Sequence, residues 1–133
     1  MNPSPPQGTH DARAVLDVHG AMQRMGGRRP IYVKVLYRFE PEFGQAAEMI
    51  EKFMSAGDMR TAERTAHSVK GVAATIGATA LSEVAANLEK AIARQAPEIS
   101  QTLARFGMEL GVAIDSVRVF LQQEEPHPDR LSP

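Results

Sequence analysis

The 133-residue chain contains no cysteine and no tryptophan, and aromatic residues make up only 5% of it. Without cysteine there are no disulfides, no thiolate nucleophile and no cysteine-ligated zinc. Nor is there an excess of charge of either sign: 15 basic residues stand against 16 acidic ones, for a net charge of -1. No basic stripe marks a nucleic-acid partner, and the Arg28-Arg29 pair is too small to serve as one. No apolar run approaches the roughly 18–20 residues of a membrane span. The opening segment, Met1 to Gly8, is polar and proline-rich, unlike a secretory signal. No segment alternates apolar and polar residues as a half-buried strand does.

Helical periodicity is what the chain does have. Hydrophobic residues reach 43%, enough for a core built from Ala, Leu, Val, Ile and Met. A short first helix is expected from about Asp11 to Met25, with Val15, Val18, Met22 and Met25 on one stripe and Gly26-Gly27 stopping it. A longer helix begins near Pro30, with a stripe of Tyr32, Val35, Leu36, Phe39, Phe43, Ala46, Ile50 and Phe53. Pro41 lies inside that stretch and should kink or split it. Asp58 is placed to cap a third main helix running to Ile76, carrying Met59, Ala62, Ala66, Val69, Ala73 and Ile76. Gly77 should end it and Thr79 should cap the next, which runs to about Arg94 with Leu81, Val84, Ala85, Leu88 and Ile92. Pro97 marks a boundary, and a last helix carries Ile99, Leu103, Phe106, Leu110, Ala113, Val117 and Leu121.

These signals predict an all-α fold: an antiparallel four-helix bundle with an additional short N-terminal helix, spanning 11–123. Residues 1–10 and 124–133 are rich in proline and lack periodicity, so both read as tails or linker stubs. They fit a domain cut from a longer chain or a stand-alone protein with loose ends.

One stretch of the third main helix asks for a reason beyond packing: Ala66-His67-Ser68-Val69-Lys70-Gly71. Spacings of three and four residues place His67, Lys70 and Gly71 on one face of a helix. A glycine within a helix costs about 0.5–1 kcal/mol relative to alanine. That cost is explained if something must approach the imidazole and a side chain at 71 would block it. A neutral imidazole nitrogen is a competent nucleophile toward an activated phosphoryl group. Lys70, one turn on, offers a cation to phosphoryl oxygens, and such a transfer needs little beyond positioning and charge.

Other motifs add little. His10 and His127 fall in the expected tails, and His19 has no second ligand four residues on. There is no His-Glu-x-x-His pattern, and Gly26-Gly27-Arg28-Arg29 is no phosphate loop, since neither a strand nor Gly-Lys-Ser/Thr flanks it. The chain therefore lacks an ATP site of its own. Met22, Met25, Met49, Met54 and Met59 sit mostly at core spacing, as packing residues do.

The stretch from Ala66 to Gly71, followed by Ile76-Gly77-Ala78, Leu81, Ala85 and Leu88-Glu89, resembles the histidine-phosphotransfer (HPt) domain of bacterial phosphorelays. The Ala56-Gly57-Asp58 approach and the Val15–Gly27 segment with Tyr32, Leu36 and Phe39 match as well, so the resemblance covers roughly 11 to 122. It implies a helical bundle whose exposed histidine accepts a phosphoryl group from a receiver-domain aspartate and passes it to another receiver. On that resemblance His67 is phosphorylated, Lys70 neutralises charge, and Gly71 gives steric clearance. Partner contact would involve Glu63, Arg64, Ala74 and Ala78.

In the related phosphotransfer domain of chemotaxis kinases, a glutamate at about the spacing of Glu89 hydrogen-bonds the other ring nitrogen. Glu89 has that role or is a solvated glutamate paired near Lys90 or Arg94; the sequence leaves both open. The implied partners are receiver domains of response regulators or a hybrid sensor kinase, with Mg²⁺ on the receiver and no cofactor on this chain. No nucleic-acid or membrane contact is expected, and a cytoplasmic monomer is. A non-catalytic helical adaptor is the alternative.

Overall fold

The computed structural model describes residues 15–124. Among them are six helices and no strand: α1 (Val18–Arg24), α2 (Arg29–Phe43), α3 (Ala46–Ser55), α4 (Met59–Ile76), α5 (Thr79–Arg94) and α6 (Ile99–Glu124). The α2–α3 arm, α4, α5 and α6 form the antiparallel bundle, and α1 packs on it as the additional short helix. Helix α5 lies against both α4 and α6, and α3 closes on α4.

The apolar stripes go inside. Tyr32, Leu36, Phe39 and Ile50 meet Ala62, Ala66, Val69, Ala73 and Ile76 of α4; Leu81, Ala85, Leu88 and Ile92 of α5; and Phe106, Leu110, Ala113 and Val117 of α6. No charged side chain is buried among the described residues. The hydroxyl of the fully buried Tyr32 donates to the Ile76 carbonyl at 2.8 Å. Burial pushes that hydroxyl up to about 12, with the nearby Asp17 charge adding to the shift, so it stays a donor.

Caps explain where α4 begins and ends. The Asp58 side chain accepts from the Thr61 N–H at 3.1 Å, satisfying one of the free donors of the first turn. Gly77 ends the helix in the left-handed region, at φ 89°. Space as well as conformation demands glycine there: a Cβ would lie 2.5 Å from the Asp17 carbonyl oxygen. The Asp17 N–H also donates to the Gly77 carbonyl at 2.8 Å, so the segment before α1 closes directly on the α4–α5 turn.

Four sequence expectations are corrected. The first helix does not run unbroken from 11 to 25: Leu16 and Asp17 are non-helical, and residues 11–14 lie outside the described residues. The Asp17 carboxylate caps α1 through the Gly20 N–H at 3.0 Å, and a side chain bound in that way starts a helix instead of continuing one. The second helix splits at Gly44-Gln45, not at Pro41, which is accommodated inside α2. Gly44 closes the last helical bond of α2, its N–H donating to the Glu40 carbonyl at 2.8 Å, and a Cβ there would lie 2.7 Å from that oxygen. Thr79 is the first residue of α5 and not its cap; Ala78 holds the cap position without a side-chain bond. Glu124 belongs to α6 and not to a tail, because Arg29 grips its carboxylate and also lies 5.3 Å over the Phe120 ring. The expected tails, 1–10 and the remainder of 124–133, lie outside the described residues.

Candidate functional site

Helix α4 buries Ala62, Ala66, Val69 and Ala73 and turns the neighbouring flank to solvent. His67, Gly71 and Ala74 lie on that flank and are exposed, as the 3-4 spacing requires. The small core residues of α4, with Ala85 opposite, bring α5 close, and Ser82 of α5 donates to the Lys70 carbonyl at 3.0 Å. Because Leu88 is held in the core, Glu89 emerges at the rim between the two helices, facing His67 and Lys70.

The three side chains form one network. Glu89 Oε2 lies 2.9 Å from His67 Nδ1, and Oε1 lies 3.0 Å from Lys70 Nζ. Partial burial of Glu89 pushes its carboxyl up, but the hydrogen bonds from Lys70 and His67 and their charges outweigh this and hold it below the usual range. The group is therefore a carboxylate, which only accepts. Nδ1 must then carry a proton, and in the neutral ring the lone pair is on Nε2. The His67 side chain is 60% exposed, against 20% for Glu89, and Nε2 has no protein partner among the described residues. Of the two roles left open for Glu89, the geometry has it bonded to His67 and Lys70; Lys90 and Arg94 are not its partners, and Arg94 pairs with Glu98.

Gly71, one turn beyond His67, stands in open space: a Cβ there would meet nothing within 4 Å, and its φ is not in the left-handed region. Nothing in the chain itself demands glycine at 71. Of the residues expected at a partner face, Arg64 and Ala74 are exposed and Glu63 is half-buried on the flank. Ala78 is only 1% exposed, because the turn after Gly77 folds it into the core, so it does not meet a partner. One side chain that the sequence pattern did not single out reaches this face. Arg24, at the end of α1, donates from Nη2 to the Ala74 carbonyl at 2.9 Å. With 50 residues between the two, no local spacing signals the contact.

Among the described residues no cluster of three or more His, Asp or Glu side chains is gathered to hold a metal ion. No described helix is long and apolar enough to cross a membrane. The arrangement as a whole is an exposed, oriented imidazole nitrogen with a cation one turn away and cleared space beside it. Among known families, the model of the Hpt domain matches residues 34–122. No curated protein and no solved structure matches the chain significantly.

Proposed function

This chain belongs to the Hpt domain family, whose work is histidine phosphotransfer in phosphorelays, and on that premise we propose that His67 is a relay point between two receiver domains. The observation that carries the assignment is the bond between Glu89 and His67 Nδ1, which leaves Nε2 as the outward nucleophile. Nε2 attacks the phosphorus of a receiver's aspartyl phosphate. The N–P bond forms as the P–O bond to the aspartate breaks, and the carboxylate leaves with the electron pair. Nδ1 keeps its proton throughout, and the positive charge that the ring acquires faces the Glu89 carboxylate. The Lys70 ammonium has donors to spare beyond its bond to Glu89 and neutralises the phosphoryl oxygens. Return transfer reverses the step: a second receiver's aspartate attacks the phosphorus, and Nε2 recovers its lone pair.

Mg²⁺ belongs to the receiver in this reading. Gly71 supplies clearance, since a side chain there would lean back over the turn that carries His67. The reading implies a monomer acting in the cytoplasm and meeting its receivers transiently, through a small face with a charged rim.

The test is transfer from a phosphorylated receiver domain in the presence of Mg²⁺, scored as acid-labile, base-stable label. Wild type takes up label and His67→Gln, folded by circular dichroism, takes up none. Uptake that survives His67→Gln overturns the assignment.

A further inference from the structure

Arg24 of α1 donates to a carbonyl in the last turns of α4, on the helix that carries His67. Ala74 lies seven residues beyond His67, about 10 Å along α4 and within roughly 20° of the same line on its surface. Arg24 is fixed at that end of the line by a single bond, from Nη2, and is otherwise exposed, so its remaining donors face solvent. Between Arg24 and the imidazole the face carries Lys70, which is held by Glu89, and the small residues Gly71 and Ala74, and the space over Gly71 is open. In the other direction Arg60 lies seven residues before His67, on the same line, with Arg64 beside it. Both are exposed and form no ion pair among the described residues, although the Asp58 carboxyl is lowered in part by their charges, after its bonds to Thr61. His67 thus stands midway between an arginine at each end of this face, and one of those arginines comes from a different helix.

We propose that Arg24 is a specificity-determining docking residue that pairs with a carboxylate on the incoming receiver domain, beyond the Ala74 end of the face that carries His67. The proposal rests on the phosphotransfer reading and extends the docking face from α4 and α5 onto α1. An arginine anchored at one nitrogen has already given up much of its rotamer freedom, so pairing costs it less entropy than it would a free side chain. A receiver with an acidic residue facing Arg24 gains an ion pair at the interface rim, and one with a basic residue there meets repulsion. A purely structural Arg24, serving only the carbonyl end of α4, would affect stability and leave partner choice alone.

The experiment compares two phosphoryl donors. Phosphoramidate is small, makes no docking contact, and reports the chemistry of His67 alone. A phosphorylated receiver domain reports docking as well. Arg24→Glu, Arg24→Lys and, as a control of equal charge change on exposed α2 surface, Lys34→Glu are assayed with both. Arg24→Glu is expected to take label from phosphoramidate at the wild-type rate. From the receiver its KM rises about five- to tenfold at low ionic strength with kcat within twofold, and the difference shrinks as salt is added. Arg24→Lys retains the cation and stays within about twofold of wild type, and Lys34→Glu is unchanged. A KM for Arg24→Glu within twofold of wild type overturns the docking role while leaving the phosphotransfer reading intact. So does a rise shared by Lys34→Glu, or a loss seen equally with phosphoramidate. If wild type is labelled by no phosphorylated receiver, the phosphotransfer reading fails and this inference fails with it.

Discussion

Replacing Gly71 by alanine should make the protein more stable and less active, and Gly77, which ends the same helix, offers the opposite case. At position 71 the backbone is ordinary helix, and a Cβ meets nothing within 4 Å. The substitution therefore recovers the usual difference between glycine and alanine in a helix, about 0.5–1 kcal/mol, with no steric cost to offset it. For a domain of this size that is a rise in melting temperature of roughly 2–6 °C. At position 77 the same substitution meets φ 89° and a contact of 2.5 Å with the Asp17 carbonyl oxygen. Strain there should cost about 1–3 kcal/mol, lowering the melting temperature. The assay is paired: thermal or urea unfolding of both variants, and the initial rate of phosphoryl transfer from a receiver domain for Gly71→Ala and Gly71→Lys. The transfer rate should fall in Gly71→Ala and be abolished in Gly71→Lys, although neither loses its fold. If Gly71→Ala is less stable than wild type, the glycine has a structural duty that the open space at 71 does not reveal. If Gly71→Lys transfers at the wild-type rate, the clearance argument fails.

Three further outcomes are expected. Glu89→Gln removes a charge-assisted bond to an exposed ring; at the low end of such bonds, about 1–1.5 kcal/mol, the transfer rate should drop roughly five- to tenfold, and ¹⁵N shifts should show the Nδ1–H tautomer no longer dominant. An unchanged rate and tautomer would remove Glu89 from the mechanism. Tyr32→Phe deletes the buried donor to the Ile76 carbonyl and should cost about 1–2 kcal/mol in urea unfolding, with no effect on transfer by the folded protein; an unchanged midpoint would mean that the carbonyl finds another donor. Glu89, Asp58 and Glu40 all have carboxyls lowered below their ordinary values of 4.5, 3.8 and 4.5. Their contribution to stability is complete above those values and is lost as pH falls through the lowered ones. The urea midpoint should therefore be flat from neutral pH down to about 5 and decline below about 4, and a midpoint that rises on acidification would contradict the pairing.

The helices that carry the site were legible because their signals are local. The 3-4 stripe of α4, the Asp58 cap and the Gly77 stop all act within a few residues, and each falls where the pattern placed it. The same holds for the stripes of α5 and α6. What was misread depends on competition or distance. Asp17 looked like one residue of a longer helix, yet its carboxylate captures a backbone N–H and starts α1 afresh. Pro41 was the more conspicuous helix breaker, yet the arm divides at Gly44-Gln45, where a Cβ on Gly44 would crowd the Glu40 carbonyl. Ala78 was expected at the partner face by resemblance, and tertiary packing buries it. At the site, His67, Lys70 and Gly71 share one helix, so spacing alone aligns them. The partnership with Glu89 spans 22 residues and needed the packing of α5 on α4 to decide it, and the Arg24 contact spans 50 and had no sequence signal at all.

The central claim is that Nε2 of His67 receives the phosphoryl group while Nδ1 remains protonated against Glu89. Heteronuclear ³¹P–¹⁵N NMR on the protein phosphorylated by a receiver domain and labelled at its histidines tests it directly. The account predicts a single phosphohistidine, assigned to His67, with phosphorus coupled to Nε2 and a proton on Nδ1. Phosphorus coupled to Nδ1, or found on any other residue, would contradict it.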